Sequence, residues 1–216
     1  MSTHHVLTGQ VQPGAFFDKI ASRTDWPNYS GAYDYFNPRN DGIPNGVNLP
    51  TYMQQQPLLW PGQYAGLLGA KHDPWQITAD PNKDDFKVDS LTLAAGLDIQ
   101  RVTDRQSLLT DLNKQQVRLE RTVVGNRMKS EQQEAYNILT SRRLANAFQV
   151  QQESEEIRER YGRHTTGQSL LLARRLVEVG VPVVQVNIGN AQNWDNHGNI
   201  FPVSYTHLTL PTNREV

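Results

Sequence analysis

The stretch that most constrains this chain runs from Thr166 to Asn199, TGQSLLLARRLVEVGVPVVQVNIGNAQNWDNHGN. It reads as a helix, a tight stop, a buried strand and a loop. Leu172, Ala173, Leu176 and Val177 recur at helical spacing, and Arg174, Arg175 and Glu178 fall on the other face. Gly180 can take the left-handed conformation that ends a helix, and Pro182 forbids its continuation. Val181 to Ile188 is short and rich in β-branched residues, the pattern of a strand in a parallel sheet. In open α/β sheets ligands bind beyond the carboxyl ends of the strands, and Asp195 and His197 stand beyond this one. The stretch predicts an α/β fold and directs the search for chemistry to the loop after the strand.

In an extended loop residues two apart point the same way, so Asp195 and His197 can converge on one ion while Asn196 points away. A carboxylate with an imidazole suits zinc or a similar divalent ion, and Gly198 lets backbone pass close to it. The D-x-H pattern is common by chance. Taken alone, these residues favour a plainer alternative, an Asp–His hydrogen bond that braces a surface loop. Trp194 and Asn199 are weaker neighbours of the same candidate site.

Bulk properties exclude several classes. The 21 basic and 22 acidic residues nearly cancel, so no global field favours nucleic acid or an anionic membrane. No apolar run is long enough to span a bilayer, and no signal peptide is visible. Zero cysteines exclude disulfides, thiolate metal sites and cysteine nucleophiles. There is no P-loop, no Rossmann glycine fingerprint and no G-x-S-x-G nucleophile elbow.

From His4 to about Asp98 the sequence reads as irregular, with turn signals at Asn37-Pro38, Asn40-Asp41-Gly42, Pro44-Asn45-Gly46 and Pro61-Gly62. A stretch this long is either an ordered functional loop or is packed against parts of a larger fold. Trp26, Tyr29, Tyr33, Tyr35, Phe36, Tyr52, Trp60, Tyr64 and Trp75 could line a binding cleft, but most are expected to anchor loops onto a core. The middle third reads as helical: one helix from Thr103 to about Val124 and a second from about Ser130 to Ala147. A third spans Ser154 to Tyr161, with Glu155 and Glu156 in its first turn and Gly162 to close it. His72 and His164 read as loop residues. His4 and His5, taken innocently, are exposed and inert or left over from a tag.

The segments LLLARRLVEVGVPVVQV, W-D-x-H-G-N, THHVLTG, Asp25-Trp26-Pro27, PGQYAGLLGAKHDP and Ser90-Leu91-Thr92-Leu93 together resemble a bacterial family of sulfatase-like proteins in the alkaline-phosphatase superfamily. This is the domain of unknown function 1501 (DUF1501) family. The resemblance runs from Ser2 to Phe201. It implies part of an alkaline-phosphatase-like doubly wound sheet, with a long irregular N-terminal stretch and a helical middle. It also implies export to the periplasm or cell exterior, with the export signal upstream of Met1. It shifts Asp195 and His197 towards metal, zinc being the first choice. It further implies that one of His4 and His5, in the segment H-x-x-x-T-G, faces the cleft as ligand or proton donor. Strand alternation would allow only one of them to do so. A sulfatase-like site normally takes a metal-binding carboxylate and its nucleophile from the part expected upstream of Met1. The Cys/Ser-x-Pro-x-Arg sequence of true sulfatases is absent, so a complete family member is free to differ from sulfatases in mechanism.

The tail breaks the pattern. Val203 to Thr212 (VSYTHLTLPT) is one reading frame of a transposase adapter used in sequencing libraries; the alternative is a short genuine strand. The expected organisation is a partial sulfatase-like domain over residues 1–201 and a non-native tail over 202–216, in which His207 is no ligand. Such a piece, expressed alone, is expected to be poorly soluble or only partly folded.

Two functions are expected from this reading. One is a share in a metal-dependent hydrolase of sulfate or phosphate esters, with a small ester or a sulfated polysaccharide as substrate. The other is an exported non-catalytic binding protein on the same fold, which engages a polysaccharide or a protein partner. A purely helical interaction module is disfavoured by the strand at Val181 to Ile188.

Overall fold

The helix and strand read from the Thr166 stretch are both present in the computed structural model, which describes residues 3–12, 20–55, 58–88 and 141–188. In chain order the elements begin with helices α1 (Thr3–Thr8) and α2 (Tyr29–Phe36) and strand β1 (Gly46–Leu49). A small antiparallel pair, β2 (Gln54–Gln55) and β3 (Leu58–Leu59), precedes β4 (Trp75–Gln76). Helices α3 (Arg142–Ala147), α4 (Glu155–Tyr161) and α5 (Thr165–Glu178) lead to β5 (Val183–Val186).

Helix α5 buries Leu171, Leu172 and Leu176, each at most 1% exposed. Val177, expected on the same stripe, is 55% exposed. One residue is about 100° of helical turn, enough to carry Val177 off a seam centred on Leu172 and Leu176. The stop behaves as expected. Gly180 has φ 103°, its N–H bonds Val177 O at 2.9 Å, and the N–H of Val181 bonds Leu176 O at 3.0 Å. This pair of bonds satisfies carbonyls that the last helical turn leaves open.

Strand β5 then pairs in parallel with β1, from Gly46↔Val183 to Leu49↔Val186, and β1 pairs in parallel with β4. The order in the sheet is β4-β1-β5. The N-terminal stretch is therefore not irregular throughout. It supplies two of the three strands in this sheet, and they escape a periodicity search because they are short and carry polar side chains on one face.

Alternation splits that sheet into two unlike faces. Val47, Leu49, Trp75, Val184 and Val186 lie towards Leu144, Phe148, Leu171, Leu172 and Leu176 in one apolar core. The Trp75 and Phe148 rings meet edge to face at 5.4 Å. Fully burying a leucine or valine of this kind is worth roughly 1.5–3 kcal/mol. On the opposite face Asn48 is in register with Gln76 and Gln185. Helix α2 closes over this side at Gly46, where an added Cβ would fall 2.5 Å from the Ser30 Cβ. Helices thus cover both faces of the small parallel sheet.

The Ser154 side chain caps α4 as expected, accepting the Ile157 N–H at 3.3 Å. Its junction with α5 is polar and buried. Gln168 donates to the carbonyls of Arg158 (2.9 Å) and Gly162 (2.8 Å) and accepts from Arg158 Nε at 3.0 Å. Arg175 donates to the carbonyls of Ala147 (2.9 Å) and Asn146 (2.7 Å) and pairs with Glu153, placing a cation at the end of α3. Helix α3 begins afresh at Arg142, with Ser141 extended and capping it, so the helix expected from about Ser130 to Ala147 does not run through this point. Its part before Ser141 and the helix expected from Thr103 lie outside the described residues, as does the tail.

Five of the nine aromatic side chains differ from expectation, while Tyr52, Trp60, Tyr64 and Trp75 are half-buried. Trp26, Tyr29, Tyr33, Tyr35 and Phe36 are all at least 41% exposed. The inner side of α2 is made by Ser30 and Gly31, so close packing uses up its small residues and leaves the rings outside.

Candidate functional site at the carboxyl edge of the sheet

Parallel strands point one way, so the segments leaving them meet at one edge. Here Pro50 and Thr51 leave β1, Thr78 and Asp80 follow β4, and Asn187 leaves β5. Helix α5 runs back along the sheet before β5 and so presents its first residues, Thr165 and Thr166, to the same edge. Together these seven residues line a cleft of about 280 Å³.

The cleft is held by specific bonds. The Thr165 hydroxyl donates to Asp80 Oδ2 at 2.9 Å, and the Asn82 N–H donates to Asp80 Oδ1 at 2.9 Å. A carboxylate at this position also suits the positive end of the helix. Asn187 is 5% exposed and donates its Nδ2 to Thr51 O at 2.6 Å, while its Oδ1 accepts Gln185 Nε2 at 2.8 Å. Its backbone N–H bonds Leu49 O at 2.6 Å, which prolongs the β1–β5 ladder into the cleft. Beside the cleft, burial pushes the Tyr52 phenol above its ordinary range, with Tyr64 and Asp73 adding to the effect.

His4 and His5 lie in helix α1 rather than in a strand, so alternation does not decide between them. His4 is fully buried, and His5 is only partly so. The Nδ1 of His4 bonds the Gln10 carbonyl at 3.0 Å, and its Nε2 is buried with no hydrogen-bond partner. His164 is the N-cap of α5, where its Nδ1 accepts the Gly167 N–H at 3.2 Å. His72 lies in a 3-10 turn and donates Nδ1–H to Asp34 at 2.7 Å. Asp34 also accepts from Asn45, the residue before β1, so this pair belongs to the opposite edge of the sheet.

Asp195 and His197, with Trp194 and Asn199, lie outside the described residues. The structure describes the chain through Ile188, with β5 already running out at the cleft. Among the described residues no group of three or more His, Asp or Glu side chains could hold a metal ion. None of their helices is long and apolar enough to cross a membrane.

Sequence reasoning missed the cleft residues. Asp80 sits before Pro81 in a plain turn signal, and Thr165 and Thr166 look like ordinary first-turn residues. Only the fold brings them together. A signal was present in Gly46-Val47-Asn48-Leu49, where two apolar residues alternate after a turn, but it is four residues long.

The profile of a family described as a protein of unknown function (DUF1501) matches residues 12–209. The match begins after the THHVLTG segment and runs past Phe201. No curated protein and no solved structure matches the chain.

Proposed function

The chain belongs to the DUF1501 family, and from that premise and the geometry of the cleft we propose that it forms part of a metal-dependent hydrolase of sulfate or phosphate esters. The observation that carries this reading is the convergence of all three parallel strand ends and the start of α5 on one cleft. Strand β5 leaves that cleft in the direction of Asp195 and His197 in sequence. In this reading the sheet, covered by helices on both faces, is part of an alkaline-phosphatase-like, doubly wound fold, and the protein is exported.

Asp195 and His197 hold a divalent ion, with zinc the first candidate. Such an ion, when bound, polarises the ester and stabilises charge on the leaving or attacking oxygen. The chain's own residues supply the rest. Thr165 and Thr166 bring the first turn of a helix, whose N–H groups have no carbonyl partner within it, to the place where a sulfuryl or phosphoryl group would sit. Asp80 fixes the Thr165 hydroxyl, and Asn187 fixes the exit of β5.

The test is calorimetric titration of the whole gene product with zinc, repeated for Asp195→Ala, beside hydrolysis of p-nitrophenyl sulfate and phosphate. The expected result is one tight site per chain that Asp195→Ala abolishes, with turnover of at least one ester. Equal zinc binding by both proteins would remove Asp195 from the site.

A second reading rests on a different observation. The exposed rings of Trp26, Tyr29, Tyr33, Tyr35 and Phe36 suit a non-catalytic protein that binds a polysaccharide or a protein partner. It predicts no tight divalent site and no ester turnover, with loss of polysaccharide or partner binding in a Tyr29→Ala/Tyr33→Ala variant.

A further inference from the structure

The cleft at the carboxyl edge of the sheet carries a charge of its own. Among the described residues that line it Asp80 alone is ionisable, and the others offer hydroxyls, an amide and a proline ring. The carboxylate is fixed from two sides. The Asn82 N–H holds Oδ1 and the Thr165 hydroxyl holds Oδ2, both at 2.9 Å. The Lys83 N–H closes the turn on the Asp80 carbonyl at 3.2 Å. An ionised carboxylate has about four acceptor positions and no donor. Two are taken, so Asp80, half-buried in the cleft wall, keeps acceptor capacity for a ligand.

That capacity separates the two classes of ester. A sulfate monoester is fully ionised near neutral pH, and its outer oxygens only accept. Against Asp80 it sets acceptor against acceptor and negative charge against negative charge. No Lys or Arg side chain in the described lining offsets them. A phosphate monoester loses its second proton only at about pH 6. Its singly ionised form has the charge and nearly the shape of the sulfate ester, and differs by one P–OH. A hydroxyl donated to a carboxylate makes one of the stronger hydrogen bonds available to a protein.

We infer that Asp80 determines specificity, accepting the P–OH of a singly ionised phosphate monoester and excluding the sulfate ester. The inference rests on the ester-hydrolase reading above and narrows it to one of its two substrate classes. Asp80 and Thr165 make the selection within the cleft. The hydroxyls of Thr78 and Thr166, in the same lining, can turn to donate to the other phosphoryl oxygens.

The test uses the whole gene product in zinc-containing buffer at about pH 6, where about half of a phosphate monoester keeps its second proton. Calorimetry compares methyl phosphate with methyl sulfate, and kcat/KM compares the two p-nitrophenyl esters. Wild type should favour phosphate by at least ~10-fold, the scale of one hydrogen bond to a charged group. Asp80→Asn places an N–H donor beside the ligand, and should cut that preference by at least ~10-fold through tighter binding of sulfate. Any preference of the zinc ion itself is common to both proteins and cancels in this comparison. A merely structural Asp80 would weaken both ligands alike and leave their ratio unchanged. If the ratio is unchanged, or if wild type favours sulfate, the inference is overturned, while turnover of either ester leaves the hydrolase reading standing. If neither ester is bound or turned over, both fall. Should Asp80→Asn fail to fold, dimethyl phosphate decides on the wild-type protein, since it has the same single charge and no hydroxyl. Its rejection alongside methyl sulfate supports the inference, and binding equal to that of methyl phosphate overturns it.

Discussion

Thr165 donates its hydroxyl to the Asp80 carboxylate at 2.9 Å, tying the start of α5 to the segment that follows β4 across 85 positions of sequence. The bond spans the cleft wall and does not belong to any element's own ladder. Hydrogen bonds to charged groups are worth about 1.5–3 kcal/mol, so Asp80→Ala should lower unfolding free energy in urea by that amount. Thr165→Val should lower it by less, since Asp80 keeps its bond to Asn82. Unchanged urea midpoints in both variants would show that the bond contributes nothing.

Gly167 sits inside α5, where replacing glycine with alanine ordinarily stabilises a helix by about 1 kcal/mol. Here the added Cβ would lie 2.1 Å from the Tyr161 carbonyl oxygen and 2.5 Å from that of Gly162. Both obstacles are backbone, and the Gly162 carbonyl is also held by Gln168 Nε2 at 2.8 Å. We predict that Gly167→Ala destabilises by about 1–3 kcal/mol or more, the range for overpacking. A stabilised variant would mean that α4 can move away from α5 freely.

Leu172 and Val177 give a paired prediction within one helix. Leu172→Ala should cost about 2–5 kcal/mol, because the residue is fully buried. Val177→Ala should stay within about ±0.5 kcal/mol, as for an exposed site. Equal losses from the two would restore the wider apolar stripe that periodicity alone suggests.

Asp41 gives a prediction in pH. The Arg39 side chain, bonded at Nε and Nη2, holds the Asp41 carboxyl below its ordinary value of 3.8. A lowered carboxylate adds stability that is present above the unfolded value and is lost as pH falls through the folded one. Asp41→Asn should therefore be slightly less stable than wild type at neutral pH, by less than about 1 kcal/mol for so exposed a pair. The deficit should shrink below pH 3.8. Arg39 keeps its bond to Gly180 O in either case. A deficit that stays constant down to pH 2 would remove the ion pair as its cause.

The helix–strand unit was legible because each signal acts within a few residues: the leucines of α5, Gly180 and Pro182 at its end, Ser154 before α4. Strands β1 and β4 were not. A strand is stabilised by partners distant in sequence, and Asn48 and Gln76 present polar groups where a periodicity search expects apolar ones. Val177 was misplaced because a stripe can be drawn along either side of Leu176. The exposed rings of α2 were misjudged because burial depends on what packs beneath them, here Ser30 and Gly31. At the candidate site, Asp195 and His197 stand out by residue type and by following β5 in sequence. Asp80 and Thr165 meet only through the sheet, and nothing local in either announces the other.

The two faces of that sheet also imply different responses to temperature. The side bearing Val47 and Leu49 is joined to α5 by apolar burial, whose driving force near room temperature is entropic and weakens on cooling. The side bearing Asn48, Gln76 and Gln185 presents amide groups and buries less apolar surface, so it shares less of that dependence. In the cold, the amide protons of α5 should gain exchange relative to those of α2, and the apolar side of the molecule would loosen first.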